Sequence, residues 1–486
     1  MDAPAPFDSS AISDTVIRTS DNIHFYVLGA FLYYVSDALR DRLSLNQGRV
    51  AASEGVLPVL DFSEDSEIFN ILLEHIYPSV DEPRFRDLDI FKRASRAAQA
   101  YSMSVVEEKL KKQILTSSFI TAEPFRLYAI AIVLGWEELA LVAARATLKV
   151  PLKELVFVDE LRDISGAEFY RFLNYRFRCE GSKNASDEKF AILIRRPPPL
   201  TSKECLLGVQ GPFVTSSNGN LILRSSDSVD FPIAEALIRF VSPFIDTKFP
   251  LKDDEKIDGR PVIIVPERSE VLRGLLNIIY PGGDDDHDVL DCHLFGEMVR
   301  AARKLEISTA EKQLKKQGTA LACKEPLRMY AIATSFDFVE VAKIAALNTL
   351  SEPLQDMTFV EEFNQITGAD LFRLMRFRFS CAEAVRNVVK DSTVHAECGF
   401  QDLRSHIYHL PSDGSVSDEV YQRLEDCPRG DTYRAIYFSD IAYRLGYSDP
   451  SSCSFSIRIS AFDAMEKYRD GLVAAVEDAV SKVCST

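Results

Sequence analysis

Histidine and cysteine side chains gather near the carboxyl end of this 486-residue chain, and both types are ligands that zinc prefers. Structural zinc sites usually draw on closely spaced Cys or His pairs. Two such pairs occur here, each with two intervening residues, and two single cysteines follow them. The six candidates are His395, Cys398, His406, His409, Cys427 and Cys453. The pattern leaves zinc open, but scattered structural side chains are the simpler expectation, so no metal ligand is predicted.

Catalytic motifs of recognisable spacing do not occur in the sequence. It contains neither GxxxxGK followed by Ser or Thr, nor GxGxxG, GxSxG or HExxH, so no phosphate loop, nucleophile elbow or zinc-protease helix is indicated. Cys179 and Cys381 end two similar strings, yet no nearby histidine recurs with them as a base. Their matched placement favours packing. We therefore predict no catalytic residue and no cofactor, and expect that the chain is not an enzyme.

Charge and composition restrict the class of partner. The chain has 73 acidic and 56 basic residues, a net charge of −17, and 46% apolar residues, which is the balance of a globular protein. An acidic protein repels nucleic acid and anionic membranes, so proteins are the expected partners. The nine cysteines form no CxxC pair, which is typical of reduced thiols. With no secretory signal and no apolar run of membrane-spanning length, we expect an intracellular protein of cytoplasm or nucleus.

The sequence contains one internal duplication. The longest match is that of Pro151–Cys179 with Pro353–Cys381, an offset of 202 residues (353 − 151). Near the other end, Val16–Phe25 matches Ile222–Phe231, an offset of 206 (222 − 16). Two shorter strings, EPFRLYAIA/EPLRMYAIA and ILLEHIYP/GLLNIIYP, match in the same order. The small drift in offset places insertions in loops, where they are tolerated, so the chain carries two homologous copies.

Six segments are predicted from this duplication. Each copy comprises a domain and a helical extension, a connector containing Arg195-Arg196-Pro197-Pro198-Pro199 joins the copies, and a third region follows the second copy. The boundaries are 12–120 and 121–182 for the first copy, 183–216 for the connector, 217–320 and 321–382 for the second copy, and 383–486 for the C-terminal helical region. Only that last region has no counterpart, so partner choice is expected to depend on it.

Local patterns predict a small sheet followed by helices in each copy. Thr15–Arg18 and Ile23–Val27 alternate around a polar turn and predict a hairpin. A helix is predicted over Ala30–Leu43, a third strand over Val56–Phe62, and a helix that begins after the capping cluster Ser63–Ser66. The later helices are predicted over Leu88–Tyr101, Val105–Leu115, Pro124–Gly135 and Glu137–Leu148. The expected fold class is therefore α+β, with α-helical extensions and a mainly helical C-terminal region.

Charged runs in the two copies are expected to be structural. Asp284–Asp288 could attract a hard cation, but the matching loop, Ser79–Arg84, has no such cluster, which favours a solvated loop. The lysine runs Lys109–Lys112 and Lys312–Lys316 each precede an expected helix break. Lysines in a last turn complement the helix dipole, and a patch for nucleic acid or an acidic peptide is the alternative.

The order of these elements resembles that of a BTB/POZ domain. The run from Asp14 to Ser36 is similar to the opening strand, turn, strand and helix of that family, and the helix ending in Ile76-Tyr77-Pro78 is similar to its next segment. The helices from Leu88 onward resemble the BACK-like extension that often follows. Together with PFDS near the start and EPxRxYAIA in each copy, the chain is similar to the BTB proteins abundant in mushroom-forming fungi.

Two positions depart from the family pattern. Asn220 stands in the second copy where the first keeps Asp14, and the His-Lys pair typical of the family is replaced by Leu28-Gly29 and Ala234-Glu235. A charged pocket like that of the family's transcription repressors is therefore not expected. The resemblance implies a protein-interaction scaffold, either a cullin-type ubiquitin-ligase adaptor or a regulatory scaffold. A metal-binding or catalytic C-terminal region, or a transcription- or chromatin-associated regulator, is the alternative.

Family members self-associate through the first helix, which indicates where an interface would lie. Two copies on one chain have a high effective concentration for each other, so either an intramolecular pseudo-dimer or a homodimer is expected. The candidate interface residues are Phe31, Tyr33, Tyr34, Leu237, Phe240 and Phe244.

Overall fold

A computed structural model describes most of the chain, and the statements below concern those residues. They are 1–41, 43, 57–78, 83, 85–180, 219–242, 256–257, 259–280, 291–407, 410, 416–444 and 459–485. The chain divides into two compact units. Met1–Ile164 and Tyr175–Arg195 belong to unit 1, and Ser165–Asn174 and Arg196–Thr486 belong to unit 2.

Unit 1 opens with the predicted hairpin, and its third strand completes a small sheet. Strands β1 (Thr15–Arg18) and β2 (His24–Val27) are antiparallel, whereas β3 (Val59–Asp61) runs parallel to β1, giving the order β2-β1-β3. One face of the sheet is apolar, because Ile17 and Phe25 are fully buried and alternate with outward positions. The hairpin prediction is confirmed.

Helices follow the sheet of unit 1. They are α1 (Gly29–Val35), α2 (Ser66–Ile76), α3 (Leu88–Ala100), α4 (Ser104–Leu115), α5 (Phe119–Ala122), α6 (Pro124–Leu134), α7 (Glu137–Thr147) and α8 (Gly166–Glu180), with 3-10 turns at Leu152–Glu154 and Asp159–Arg162. Only the part of α8 from Tyr175 onward belongs to unit 1, because Ser165–Asn174 belong to unit 2. Two local predictions hold within this series. Asp65 caps α2 by accepting from the Ile68 amide at 3.1 Å, and α6 ends at Gly135 in the left-handed region with φ 71°.

The helix predicted over Ala30–Leu43 is interrupted at Ser36, so that prediction is wrong in part. Ser36 has extended backbone angles, and its buried hydroxyl donates to the carbonyl of Tyr101 and accepts from the amide of Leu39. Ser242 repeats the arrangement in the second copy, donating to the carbonyl of Leu305. A serine side chain that bonds to backbone groups competes with helix continuation. Here the acceptor carbonyls, those of Tyr101 and Leu305, lie 65 and 63 residues further along the chain.

Unit 2 repeats the sheet and adds a strand to it. β4 (Leu221–Arg224) pairs antiparallel with β5 (Asp230–Ile233) and parallel with β7 (Arg260–Ile264), and β6 (Lys256–Ile257) pairs antiparallel with β7. The order is β5-β4-β7-β6. Its buried side chains pack on those of the following helices around Phe231, Leu272 and Leu276.

The helices of unit 2 continue to the end of the described chain. They are α9 (Glu235–Val241), α10 (Ser269–Ile279), α11 (Cys292–Lys304), α12 (Ser308–Lys324), α13 (Pro326–Ser335), α14 (Val339–Thr349), α15 (Gly368–Lys390), α16 (Ser392–Glu397), α17 (Phe400–His406), α18 (Asp418–Asp426), α19 (Gly430–Arg444) and α20 (Ile459–Ser485), with 3-10 turns at Leu354–Asp356 and Glu361–Gln365. The chain is mostly helical with small sheets, which confirms the α+β class. None of the described helices is both long and apolar enough to cross a membrane.

One charged-run prediction is corrected by the length of α12. Lys112 lies in the last turn of α4, as predicted, but Lys312–Lys316 lie in the middle of a helix that continues to Lys324. The first copy has two more residues at this place, because Ser104 to Glu123 spans 19 positions (123 − 104) and Ser308 to Glu325 spans 17 (325 − 308). The extra residues allow Thr116 and Ser117 to donate their hydroxyls to the carbonyls of Gln113 and Ile114, ending α4.

In each copy an equivalent aspartate links the hairpin turn to the start of a helix. Asp21 accepts from the amide and hydroxyl of Ser66 at 3.0 and 2.6 Å, and Asp227 accepts from those of Ser269 at 2.8 and 2.6 Å. Partial burial opposes ionisation of Asp227, but hydrogen bonds from Ser225 and Ser269 outweigh it and lower its pKa to about 2. The contact therefore favours the ionised form of Asp227.

We expect Asp227→Asn to lower the unfolding midpoint of unit 2 at pH 7. The pKa of Asp227 lies below its ordinary value of 3.8, so its contribution is complete above that value and is lost as the pH falls towards about 2. Thermal unfolding of the wild type and the variant at several pH values measures this. The gap between the two midpoints should shrink across that interval, and a gap of equal size at pH 7 and pH 2 would contradict the assignment.

Candidate interaction surfaces

Tyrosine hydroxyls fix the start of the first helix in each copy. The Tyr77 hydroxyl accepts from the amide of Leu28 at 2.8 Å, and that of Tyr280 accepts from the amide of Ala234 at 2.8 Å. These amides precede short helices whose first N–H groups have no intrahelical partner. Phe31 lies against the Tyr77 ring, with 4.5 Å between centroids. The tyrosine therefore both caps α1 and supports its inward side.

Asn220, which replaces the family's aspartate in the second copy, makes the same hydrogen bond to a helix start that Asp14 makes in the first. Asp14 accepts from the amide of Gly29 at 2.6 Å, and the side-chain oxygen of Asn220 accepts from the amide of Glu235 at 2.8 Å. An amide oxygen caps a helix about as well as a carboxylate. The second copy has thus lost a charge at this position while keeping the geometry of its first helix.

The first helix of each copy, α1 and α9, carries one exposed aromatic side chain, and the two side chains occupy equivalent positions. Tyr34 is 80% exposed and Phe240 is 82% exposed, and they occupy equivalent places because the offset of 206 relates them (240 − 34). They are the most exposed aromatic residues in the part of the chain that the structure describes. Each would lose its water-exposed surface only by contact with another molecule or segment.

The other predicted interface residues differ in exposure. Tyr33 is 38% exposed, packs edge-on against Tyr34 at 5.5 Å, and has the Arg40 guanidinium 5.0 Å from its ring. Phe31 and Leu237 are half-buried, so they present less surface than Tyr34 and Phe240 do. Phe244 lies outside the described residues. The outward surface is thus narrower than the six residues predicted.

The zinc candidates are not brought together among the described residues. His395 is 2% exposed, and its ring nitrogens lie 2.7 Å from the Tyr468 hydroxyl and 2.8 Å from the Val389 carbonyl. Since a carbonyl only accepts, Nε2 donates to Val389, and both ring nitrogens are thereby engaged in contacts within the protein. No group of three His, Cys, Asp or Glu side chains in the described ranges is placed to hold a metal ion. His409, Cys453 and Asp284–Asp288 lie outside those ranges.

The duplicated cysteines and the arginines beside them have structural contacts. Cys179 and Cys381 are buried, and burial raises the pKa of Cys381 to about 12, which keeps its thiol protonated and poorly nucleophilic. Arg176 donates to the carbonyls of Thr147 and Val150 at 2.7 and 2.5 Å. Arg378 donates to those of Thr349 and Glu352. Each arginine satisfies carbonyls at or just beyond the end of the preceding helix, a role that the repeated RFR string did not reveal.

A buried acid recurs beside an arginine in both copies. Glu160 is 2% exposed at its side chain and lies 3.2 Å from Arg126 and 3.7 Å from Lys92. Its equivalent, Glu362, lies 3.2 Å from Arg328, and burial raises the pKa of Glu362 above its usual range. Sequence reasoning missed both pairs, although the repeated EPxRxYAIA strings contain the arginines.

Comparisons with known proteins add no relative to this description. No protein-family model matches the chain, and no curated protein matches it significantly.

Proposed function

We propose that this chain is an intracellular protein-interaction scaffold built from two BTB/POZ-like units, each presenting an aromatic residue of its first helix to a partner. The observation that carries the proposal is the matched exposure of Tyr34 and Phe240. The two copies differ in sequence at this position but not in aromatic character. A duplicated, outward aromatic on a fixed helix is well suited to act as a binding hot spot, because Tyr and Phe lose little conformational entropy on burial.

The order of elements supports the same proposal. Both units have an antiparallel hairpin, a short helix and a third strand parallel to the first, as the resemblance to BTB/POZ domains implies. The charge of −17 directs the expected partners away from nucleic acid. Two forms of the scaffold differ in partner, since an adaptor would bind a cullin and a regulatory scaffold would bind other proteins. Self-association, within one chain or between two, would use the same helices.

We expect the double substitution Tyr34→Ser and Phe240→Ser to abolish partner capture without unfolding the protein. Both side chains are largely solvated, so the loss of stability should stay within about 0.5 kcal/mol. A hot-spot aromatic lost from an interface costs about 2 kcal/mol or more in binding. Affinity purification of the tagged full-length chain from its source cells, with mass spectrometry and a cullin as the designated protein, measures the effect.

The matched control removes exposed apolar side chains at other helical positions. Val105 and Val339 are 53% and 59% exposed and lie in α4 and α14, so Val105→Ser with Val339→Ser removes exposed apolar surface from helices other than α1 and α9. Partners should be retained by this control. Recovery of the same partners from both double variants would overturn the proposed surface. Stoichiometric cullin with the wild type and the control, but not with Tyr34→Ser and Phe240→Ser, would establish the adaptor form.

A further inference from the structure

Unit 1 contains a second surface, a groove between the start of α6 and the segment that joins the two 3-10 turns. Its volume is about 640 Å³, within the range of ligand clefts. One wall is formed by Ala122–Arg126, and the other by Glu154–Glu160. All of the lining residues belong to unit 1.

The groove is strongly acidic. Five carboxylate side chains and a single cation, that of Arg126, line it. The five are Asp89, Glu123, Glu154, Asp159 and Glu160. Arg126 is already shared among three of them, at 2.5 Å from Asp89, 3.6 Å from Glu123 and 3.2 Å from Glu160. Glu154 and Asp159 are exposed. Asp159 has a basic neighbour, Arg162, at 3.9 Å, but both side chains of this pair are largely solvated, so the carboxylates stay accessible at the rim.

An apolar strip runs along the same wall. The backbone is extended at Leu155 and Val158, so successive side chains alternate in direction. Leu155 is buried, whereas Val156 is 76% exposed. The extended stretch, 155–158, spans about 13 Å, and the 3-10 turns that carry Glu154 and Asp159 flank it. An extended strip between two acidic turns suits an extended peptide better than a compact small molecule.

The second copy lacks two features of this wall. Thr358 occupies the position of Val156, and His293 occupies that of Asp89 when α3 and α11 are aligned at their starts. The combination of an exposed aliphatic residue and a continuous acidic rim is therefore particular to the first copy. This difference between the copies lies at the surface, because the pair of a buried glutamate and an arginine beside it is present in both.

We propose that this groove binds an extended segment of a partner protein in which basic residues alternate with aliphatic ones. The basic side chains would pair with Glu154 and Asp159, and an aliphatic side chain would cover Val156. Charge complementarity of this kind sets specificity and association rate, and the apolar contact adds the burial that a purely ionic contact lacks. Neither Tyr34 nor Phe240 lines the groove, and the inference does not depend on the function proposed for them.

Fluorescence anisotropy with the full-length chain tests the inference. The probe is a labelled hexapeptide of alternating arginine and valine, compared with one of arginine and glycine and one of glutamate and valine. The wild type should bind the first with a Kd below about 1 mM and more tightly than the other two. Glu154→Lys with Asp159→Lys should weaken this binding at least about tenfold, or 1.4 kcal/mol. Val156→Ser should weaken only the arginine–valine peptide.

A control variant separates the groove from the general acidity of the chain. Glu340→Lys with Asp478→Lys makes the same change in net charge and, like the loss of Asp159, removes exposed contacts with a basic neighbour. It should alter affinity less than threefold, as should Tyr34→Ser with Phe240→Ser. Equal weakening by the two charge-reversing variants, equal binding of the arginine–glycine peptide, or no binding by the wild type would each overturn the proposal.

Discussion

Replacing Arg378 with methionine is expected to destabilise unit 2 by about 3 kcal/mol. The side chain is 5% exposed and donates to the carbonyls of Thr349 and Glu352, with a third at 3.3 Å on Asp426. A buried polar group left without a partner costs about 1–3 kcal/mol. Methionine fills comparable space but cannot donate, so these carbonyls lose their partner. Chemical denaturation monitored by circular dichroism measures the change.

Arg378 stays charged although it is buried, and an exposed arginine on the same helix provides a matched control. Burial lowers the pKa of Arg378 to about 10, which still leaves the guanidinium charged at pH 7. Arg373→Met provides the control, because Arg373 lies on the same helix, is 67% exposed at its side chain and pairs with Asp370 at the surface. The control should change stability by less than about 0.5 kcal/mol. Similar losses for the two variants would show that the carbonyl contacts of Arg378 contribute nothing particular. Arg176→Met should reproduce the effect in unit 1.

Replacing Gly166 with alanine is expected to cost about 1–3 kcal/mol, the usual range for overpacking. Within unit 2, the Gly166 amide donates to the Ile366 carbonyl at 2.8 Å, beside an antiparallel bridge between Ser165 and Thr367. A Cβ at Gly166 would lie 2.8 Å from the Ile366 side chain and 2.9 Å from the Phe363 carbonyl oxygen. The backbone oxygen cannot rotate away, so the bridge must shift.

The same substitution at Gly296 should have the opposite sign. Gly296 lies inside α11, and a Cβ there would meet Ile332 at 3.7 Å, an ordinary contact. Alanine in a helix interior is favoured over glycine by about 0.5–1 kcal/mol. Thermal unfolding of both variants gives a paired comparison in one unit. A Gly166→Ala variant that is as stable as Gly296→Ala would show that residues 165–166 are not closely packed in solution.

The segment Ser165–Asn174 is bound into unit 2 by more than this bridge. The Tyr170 hydroxyl donates to the Met357 carbonyl at 2.9 Å, and its ring lies 5.5 Å from that of Phe363. Ser165 pairs with Thr367, which is its equivalent in the second copy, since 367 − 165 gives the offset of 202. The repeat pattern identifies both residues as equivalent but contains no signal that they pair.

Local chemistry explains which elements the sequence predicts well. The hairpin, the Asp65 cap and the helix starts at Pro124 and Pro326 each depend on residues within a few positions of one another. The break at Ser36 depends on a carbonyl 65 residues away, and periodicity cannot register such a contact. The domain boundaries drawn from the repeats remain predictions.

The exposure of the predicted interface residues also depends on contacts that are distant in sequence. Tyr34 and Phe240 were among the predicted residues and are exposed. Phe31 was also among them, but its ring packs against the ring of Tyr77. The recurrence of a tyrosine before proline in both copies, Tyr77 and Tyr280, was the available signal. The acidic groove could not be predicted, because its walls begin 32 residues apart in sequence (154 − 122), and the repeated strings that contain them carry no signal that they face each other.

Photocrosslinking tests most directly whether the first helices are the partner-binding surface. A benzophenone amino acid is placed singly at Tyr34 and Phe240, and at Val105 and Val339 as controls, in the full-length chain in its source cells. We predict protein-sized crosslinked products from the first two positions and few from the controls, with the crosslinked partner identifying a cullin, a second copy or another protein. Equal yields from all four positions, or none from Tyr34 and Phe240, would contradict the proposed scaffold surface.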